Sequence, residues 1–134
     1  MKHTFSIDTV RRIIILRYLG KTTVQDMKNI SIDVWADPSY NQFFNGILDY
    51  RKAELDTSVE GIDEIADYFL EASEASFGNA AIIAARPLET ALTMIFAHRM
   101  LSRNKIHIFS TWEAACKFVG VEDLPEPSPL IVDC

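Results

Sequence analysis

Gly78-Asn79-Ala80-Ala81-Ile82-Ile83-Ala84-Ala85-Arg86-Pro87 contains a helix stop, a strand and a helix start within ten residues. Gly78-Asn79 ends a helix, because both residue types tolerate the left-handed backbone found there. Ala80 to Ala85 then runs without a polar side chain, which reads as a strand buried on both faces. Pro87 suits the first turn of the next helix, where a missing amide costs nothing. Helix, buried strand and helix in direct succession place the chain in the α/β class.

Upstream, Val59, Ile62, Ile65, Ala66, Phe69 and Ala72 form the apolar stripe of a second helix, and Glu60, Asp63, Glu64, Asp67, Glu71 and Glu74 form its opposite face. Gly46 to Tyr50 reads as a short third strand. A first helix carries Val24, Met27, Ile30, Val34 and Trp35 at helical spacing. Thr22 or Thr23 caps it, with Asp26 completing a capping box, and Asp37-Pro38 ends it. His3 to Asp8 alternates, with Phe5 and Ile7 on one face, and turns at Thr9-Val10 into a second strand from Arg11 to Leu19. The run Ile13-Ile14-Ile15-Leu16 is apolar on both faces, so this strand is central and pairs with the first as a hairpin. Downstream, a third helix extends to about Leu101, Lys105 to Phe109 is a fifth strand, and Ser110 caps a fourth helix that Gly120 closes. The expected fold is a single α/β domain over residues 1–120: an N-terminal β-hairpin, then α-β-α-β-α-β-α, giving a five-stranded mixed sheet with four helices. Ile14, Ile82, Ile83 and Ile108 are expected in the sheet core. Residues 121–134 carry Pro125, Pro127 and Pro129 among four acids and read as a Pro-rich acidic extended tail.

A chain of 134 residues suits one domain. Apolar residues make up 49%, enough for a core and too many for disorder. No apolar run approaches the roughly 18 residues of a membrane span. Met1-Lys2-His3 leads straight into a strand with no signal-peptide core, so the expected location is cytoplasmic. The net charge of −6 is unevenly spread: between Ala53 and Ala85 there are eight acids and no Lys or Arg. Such an acidic face repels phosphate, and nucleic acid is not an expected partner. Cys116 and Cys134 read as free thiols. His3, His98 and His107 are scattered, no spacing suits zinc, and no glycine-rich phosphate loop is present; neither metal nor cofactor is expected.

Four stretches carry a family resemblance by their order and spacing: Asp37-Pro38-Ser39-Tyr40, Gly46-Ile47-Leu48-Asp49-Tyr50-Arg51, Ala80 to Pro87, and Phe109-Ser110-Thr111-Trp112-Glu113-Ala114-Ala115. With the opening hairpin they resemble the STAS domain of anti-sigma-factor antagonists. More closely, the chain is similar to the bacterial STAS/SEC14-like (SpoIIAA-like) proteins, most of which have no assigned function. The resemblance covers residues 1 to about 120 and implies a STAS-like, non-enzymatic binding or regulatory module. In such domains Asp-Ser-Ser-Gly begins the second helix and a Ser there is phosphorylated. The matching segment is Leu55-Asp56-Thr57-Ser58-Val59-Glu60, so Thr57 and Ser58 fall on the two Ser positions while Val59 replaces the Gly.

Three groups of residues are candidates for function. Thr57 and Ser58 are either a helix cap, with Glu60 as the box partner of Thr57, or a phospho-switch at a helix N-terminus that faces repelling acids. Arg51 and Arg86 end the third and fourth strands, and Ser110 shares their rim. Together they either hold a carboxylate or phosphate, or the two arginines form surface ion pairs with Asp49, Asp56 or Glu89. In the third helix Met94, Phe96, Met100 and Leu101 spread apolar character beyond the stripe Leu88, Ala91, Leu92 and Ile95. That excess points to a homodimer or protein partner, or to cover by the tail or a ligand. No acid/base pair, relay or nucleophile constellation appears, so the chain does not read as an enzyme. The leading reading is a regulatory or protein-interaction module. The alternative is a binder of an amphipathic anion or lipid under the third helix, with its charged end at Arg51 or Arg86 and a cavity of several hundred cubic ångströms.

Overall fold

The computed structural model describes residues 3–76 and 78–127. Five strands and four helices follow one another as β1 (His3–Asp8), β2 (Ile13–Thr22), α1 (Val24–Ala36), β3 (Asn45–Leu55), α2 (Val59–Glu71), β4 (Ala80–Ile83), α3 (Pro87–Arg99), β5 (Ile106–Phe109) and α4 (Trp112–Val119). The order, the opening hairpin and the mixed sheet are those expected. β1 and β2 pair antiparallel from His3↔Tyr18 to Asp8↔Ile13. The Asp8 carboxylate accepts the amides of Val10 and Arg11 and closes the turn. All later pairs are parallel, and the strands lie in chain order, β1-β2-β3-β4-β5.

Chain order decides where the helices go. Right-handed crossovers that always step the same way put α1, α2 and α3 on one face. α4 follows the last strand and packs on the other. The run Ile13-Ile14-Ile15-Leu16 is therefore divided between two cores. Ile14 and Leu16 join Met27, Ile30, Ile62, Ile65 and Leu92 under the three crossover helices. Ile13 and Ile15 join Ile47, Ala81, Ile83, Trp112, Ala115 and Val119 under α4. Each fully buried aliphatic side chain contributes about 1.5–3 kcal/mol, so both faces hold the sheet in place. Ile14, Ile82 and Ile83 are buried as expected, while Ile108 is half-buried on the edge strand.

Several boundaries differ from the sequence reading. β3 runs on to Leu55 and β2 to Thr22, because the two pair to their ends across a bulge: Arg17 faces Asp49 but Leu19 faces Lys52. The polar residues Arg51, Lys52 and Glu54 conceal that extension. α2 ends at Glu71, so Gly78 is not its stop. Gly78 is small for another reason: a Cβ there would stand 2.0 Å from the Phe44 carbonyl oxygen. Ser58, not Thr57, caps α2 by accepting from the Gly61 amide, so Glu60 is not the box partner of Thr57, and Thr111, not Ser110, caps α4 by accepting from Ala114. Thr23 and Asp26 form the expected capping box on α1. Among the described residues no helix is long and apolar enough to cross a membrane. Tail residues 128–134, with Cys134, lie outside the described residues.

Candidate functional site

A cavity of about 140 Å³ lies between the sheet and α1, α2 and α3. Leu16, Val34 and Phe69 line it, together with Phe96 and the rings of Tyr18 and Tyr50, which stack 4.4 Å apart. Burial pushes the Tyr18 hydroxyl up to about 12 and that of Tyr50 well above its ordinary value. Both phenols are therefore neutral at physiological pH. Among the described residues no charged side chain lines this cavity, and neither Arg51 nor Arg86 forms part of its wall.

The other face of the sheet carries a charged cluster. Arg17 and Asp49 stand opposite each other in the β2–β3 register, two residues beyond the Ile15–Ile47 pair, so they share its face. Asp49 is 4% exposed and Arg17 7%. The Arg17 Nε lies 3.5 Å from Asp49 Oδ2. Arg51 grips the same carboxylate with two bonds, Nε to Oδ1 at 3.0 Å and Nη2 to Oδ2 at 2.9 Å. Burial alone would raise the Asp49 pKa, but the Arg51 hydrogen bonds and the two guanidinium charges outweigh it and leave the carboxyl below its ordinary value. Nη2 of Arg51 also donates to Glu126 Oε1, from the segment after α4. That segment is fixed a second time where the Trp112 indole N–H donates to the Leu124 carbonyl at 3.0 Å.

Arg86 serves a different pair of carboxylates. It lies 3.7 Å from Glu54 and 3.4 Å from Glu89. Glu89 is buried in the first turn of α3, where its Oε2 accepts the Leu55 amide at 2.9 Å, tying the end of β3 to α3. Ser110 is exposed just after β5. The two arginines thus sit with separate carboxylate partners, and Ser110 with neither. Thr57 and Ser58 both precede α2, with Ser58 exposed as its cap.

The four α3 candidates divide. Met94 and Leu101 are exposed, at 59% and 66%, with Leu88 at 52%. Phe96 is half-buried, edge-on to Phe69 with ring centres 5.8 Å apart, and Met100 is buried in the first core. The basic end of α3 is engaged within the chain: Arg99 pairs with Asp63 and Asp67, and Arg103 donates to the carbonyls of Phe69, Leu70, Ala72 and Ala75. Sequence reasoning passed over Arg17, Glu126 and the burial of Glu89. A signal existed for the first, since Arg17 is the one charged residue between Ile13 and Leu19.

No protein-family model matches the sequence, and no curated protein matches it. Among solved structures, an uncharacterised protein of the DUF3478 family with a SpoIIAA-like fold, from Shewanella loihica PV-4, aligns with a TM-score of 0.58. The alignment covers 87% of this chain and 93% of that one at 13% identity. The fold is SpoIIAA-like. At this identity the likeness establishes architecture and carries no residue roles across. Within the SpoIIAA-like frame the cavity occupies the three-helix layer, and the Arg17–Asp49–Arg51 cluster occupies the layer under α4.

Proposed function

We propose that the chain is a non-enzymatic, STAS-type module that works by binding another protein. The outer face of α3 supports this reading. Met94 on α3 and Leu101 in the turn just after it are exposed, as is Leu88 in its first turn, where a solvent-facing helix ordinarily carries polar side chains. A second copy of the chain is the favoured partner, because a twofold arrangement presents the same patch from both sides. Burying such a side chain contributes at most about 1.5–3 kcal/mol, against an association cost of about 4–15 kcal/mol. A small patch therefore gives a weak, concentration-dependent complex. Light scattering on the wild type from low to high micromolar concentration should show a rising mass, and Met94→Glu should stay a folded monomer throughout. Met94 is the informative position because Phe96 and Met100 also serve the core. A wild type that keeps the monomer mass at high micromolar concentration defeats the self-association reading.

The cavity favours a second reading, capture of a small molecule. Its 140 Å³ is close to the roughly 150 Å³ that accommodates benzene and below the roughly 300–1,000 Å³ of pockets for larger ligands. With neutral walls it suits a small, uncharged apolar molecule better than a lipid anion.

A further inference from the structure

The segment after α4 is seated by three different chemistries within three residues. The Leu124 side chain packs against the core under α4. Its carbonyl accepts the N–H of Trp112, a buried indole that needs an acceptor. Two residues on, the Glu126 carboxylate meets Arg51, whose guanidinium is already oriented by its two bonds to Asp49. Pro125 and Pro127 alternate with these contacts and hold the segment extended. An indole donor to a backbone carbonyl, an apolar socket and a pre-set arginine fork are what a groove needs to read an extended, proline-spaced peptide, whose ordering entropy is already low.

We propose that the surface between α4 and the Arg51 region of β3 is a peptide-binding groove, closed in cis by residues 124–127. Its external ligand is an extended acidic peptide of another protein, with an apolar residue two positions before a carboxylate and proline beside it. This surface lies on the opposite side of the sheet from the α1–α3 layer and does not depend on the α3 reading. The tether holds the internal peptide at an effective concentration on the order of millimolar. A free peptide of similar intrinsic affinity is therefore outcompeted, and release of the segment uncovers the site.

The test uses a fluorescein-labelled, end-capped peptide with the sequence of residues 121–127, added to the full-length protein and followed by fluorescence polarisation. Leu124→Ala combined with Glu126→Gln should bind it at least about tenfold more tightly than wild type does. A peptide carrying Gln at the position of Glu126, with Glu122 kept, should lose at least most of that gain, as should the protein with Arg51→Gln added. Equal affinity of wild type and the double variant overturns the proposal, and so does a gain indifferent to the peptide's second Glu, the one that corresponds to Glu126. If the double variant loses its cooperative melt, Glu126→Gln alone makes the same comparison by altering one exposed side chain, and wild-type affinity there overturns the proposal equally.

Discussion

Asp49 is a carboxylate shared by two guanidinium groups in a nearly dry layer, and its energetics are those of a buried ion pair. Such groups contribute little net stability when intact, yet removing one partner leaves an unpaired buried charge and costs about 3–5 kcal/mol. Asp49→Ala should lose stability in urea titration by up to that amount, with Arg51 keeping Glu126 as its carboxylate. The pH dependence has a definite sign. The folded-state pKa lies below the ordinary value of 3.8, so the contribution is fully present above about pH 4 and fades as pH falls through the folded value. The acid limb of the wild-type stability curve should therefore be steeper than that of Asp49→Ala below about pH 4. Neither Arg17 nor Asp49 was legible as a pair in the sequence, because their meeting depends on a register that no local pattern encodes. Asp49 was legible only as one of three carboxylates open to Arg51 and Arg86, because Arg51 lies past the stretch that reads as strand and beside a bulge.

At the scale of elements, what the sequence displayed best were the helices and the apolar strands. α2 is legible because its acids and apolar residues divide cleanly between two faces, and β4 because it is apolar throughout. β3 is the counterexample. Five of its eleven residues were read as strand, and the remainder, with Arg51, Lys52 and Glu54, looks like loop until β2 is laid beside it. The excess apolar character of α3 was visible, but its division between core and solvent was not: the same pattern holds Met100 in the interior and leaves Met94 outside. Gly78 shows a residue read for a wrong reason. It lies seven residues beyond the end of α2 and is needed because the backbone before β4 touches the Phe44 carbonyl. Any side chain there must push two backbone segments apart, at about the 1–3 kcal/mol of overpacking. Gly78→Ala should lower the melting temperature by several degrees, whereas an ordinary exposed glycine would gain stability from the same change.

The molecule as a whole is one sheet between two unequal layers, three helices on one side and a single helix with its trailing segment on the other. The thicker layer keeps a void, and the void has a measurable consequence. Saturating benzene should raise the melting temperature if the cavity admits a neutral apolar guest, and an unchanged melt removes the small-molecule reading. The strand order has a consequence of a different kind. Every ladder joins strands that are consecutive in the chain, so none must await a later strand before it can pair. As the polypeptide emerges residue by residue from the ribosome, each new strand meets a neighbour already made, and little closure entropy accumulates. The contacts of α4 and the segment after it differ, and the ion pair between Arg51 and Glu126 among them spans 75 residues. It can close only after α4 has been made, which makes it a late lock on a structure otherwise assembled in order of arrival.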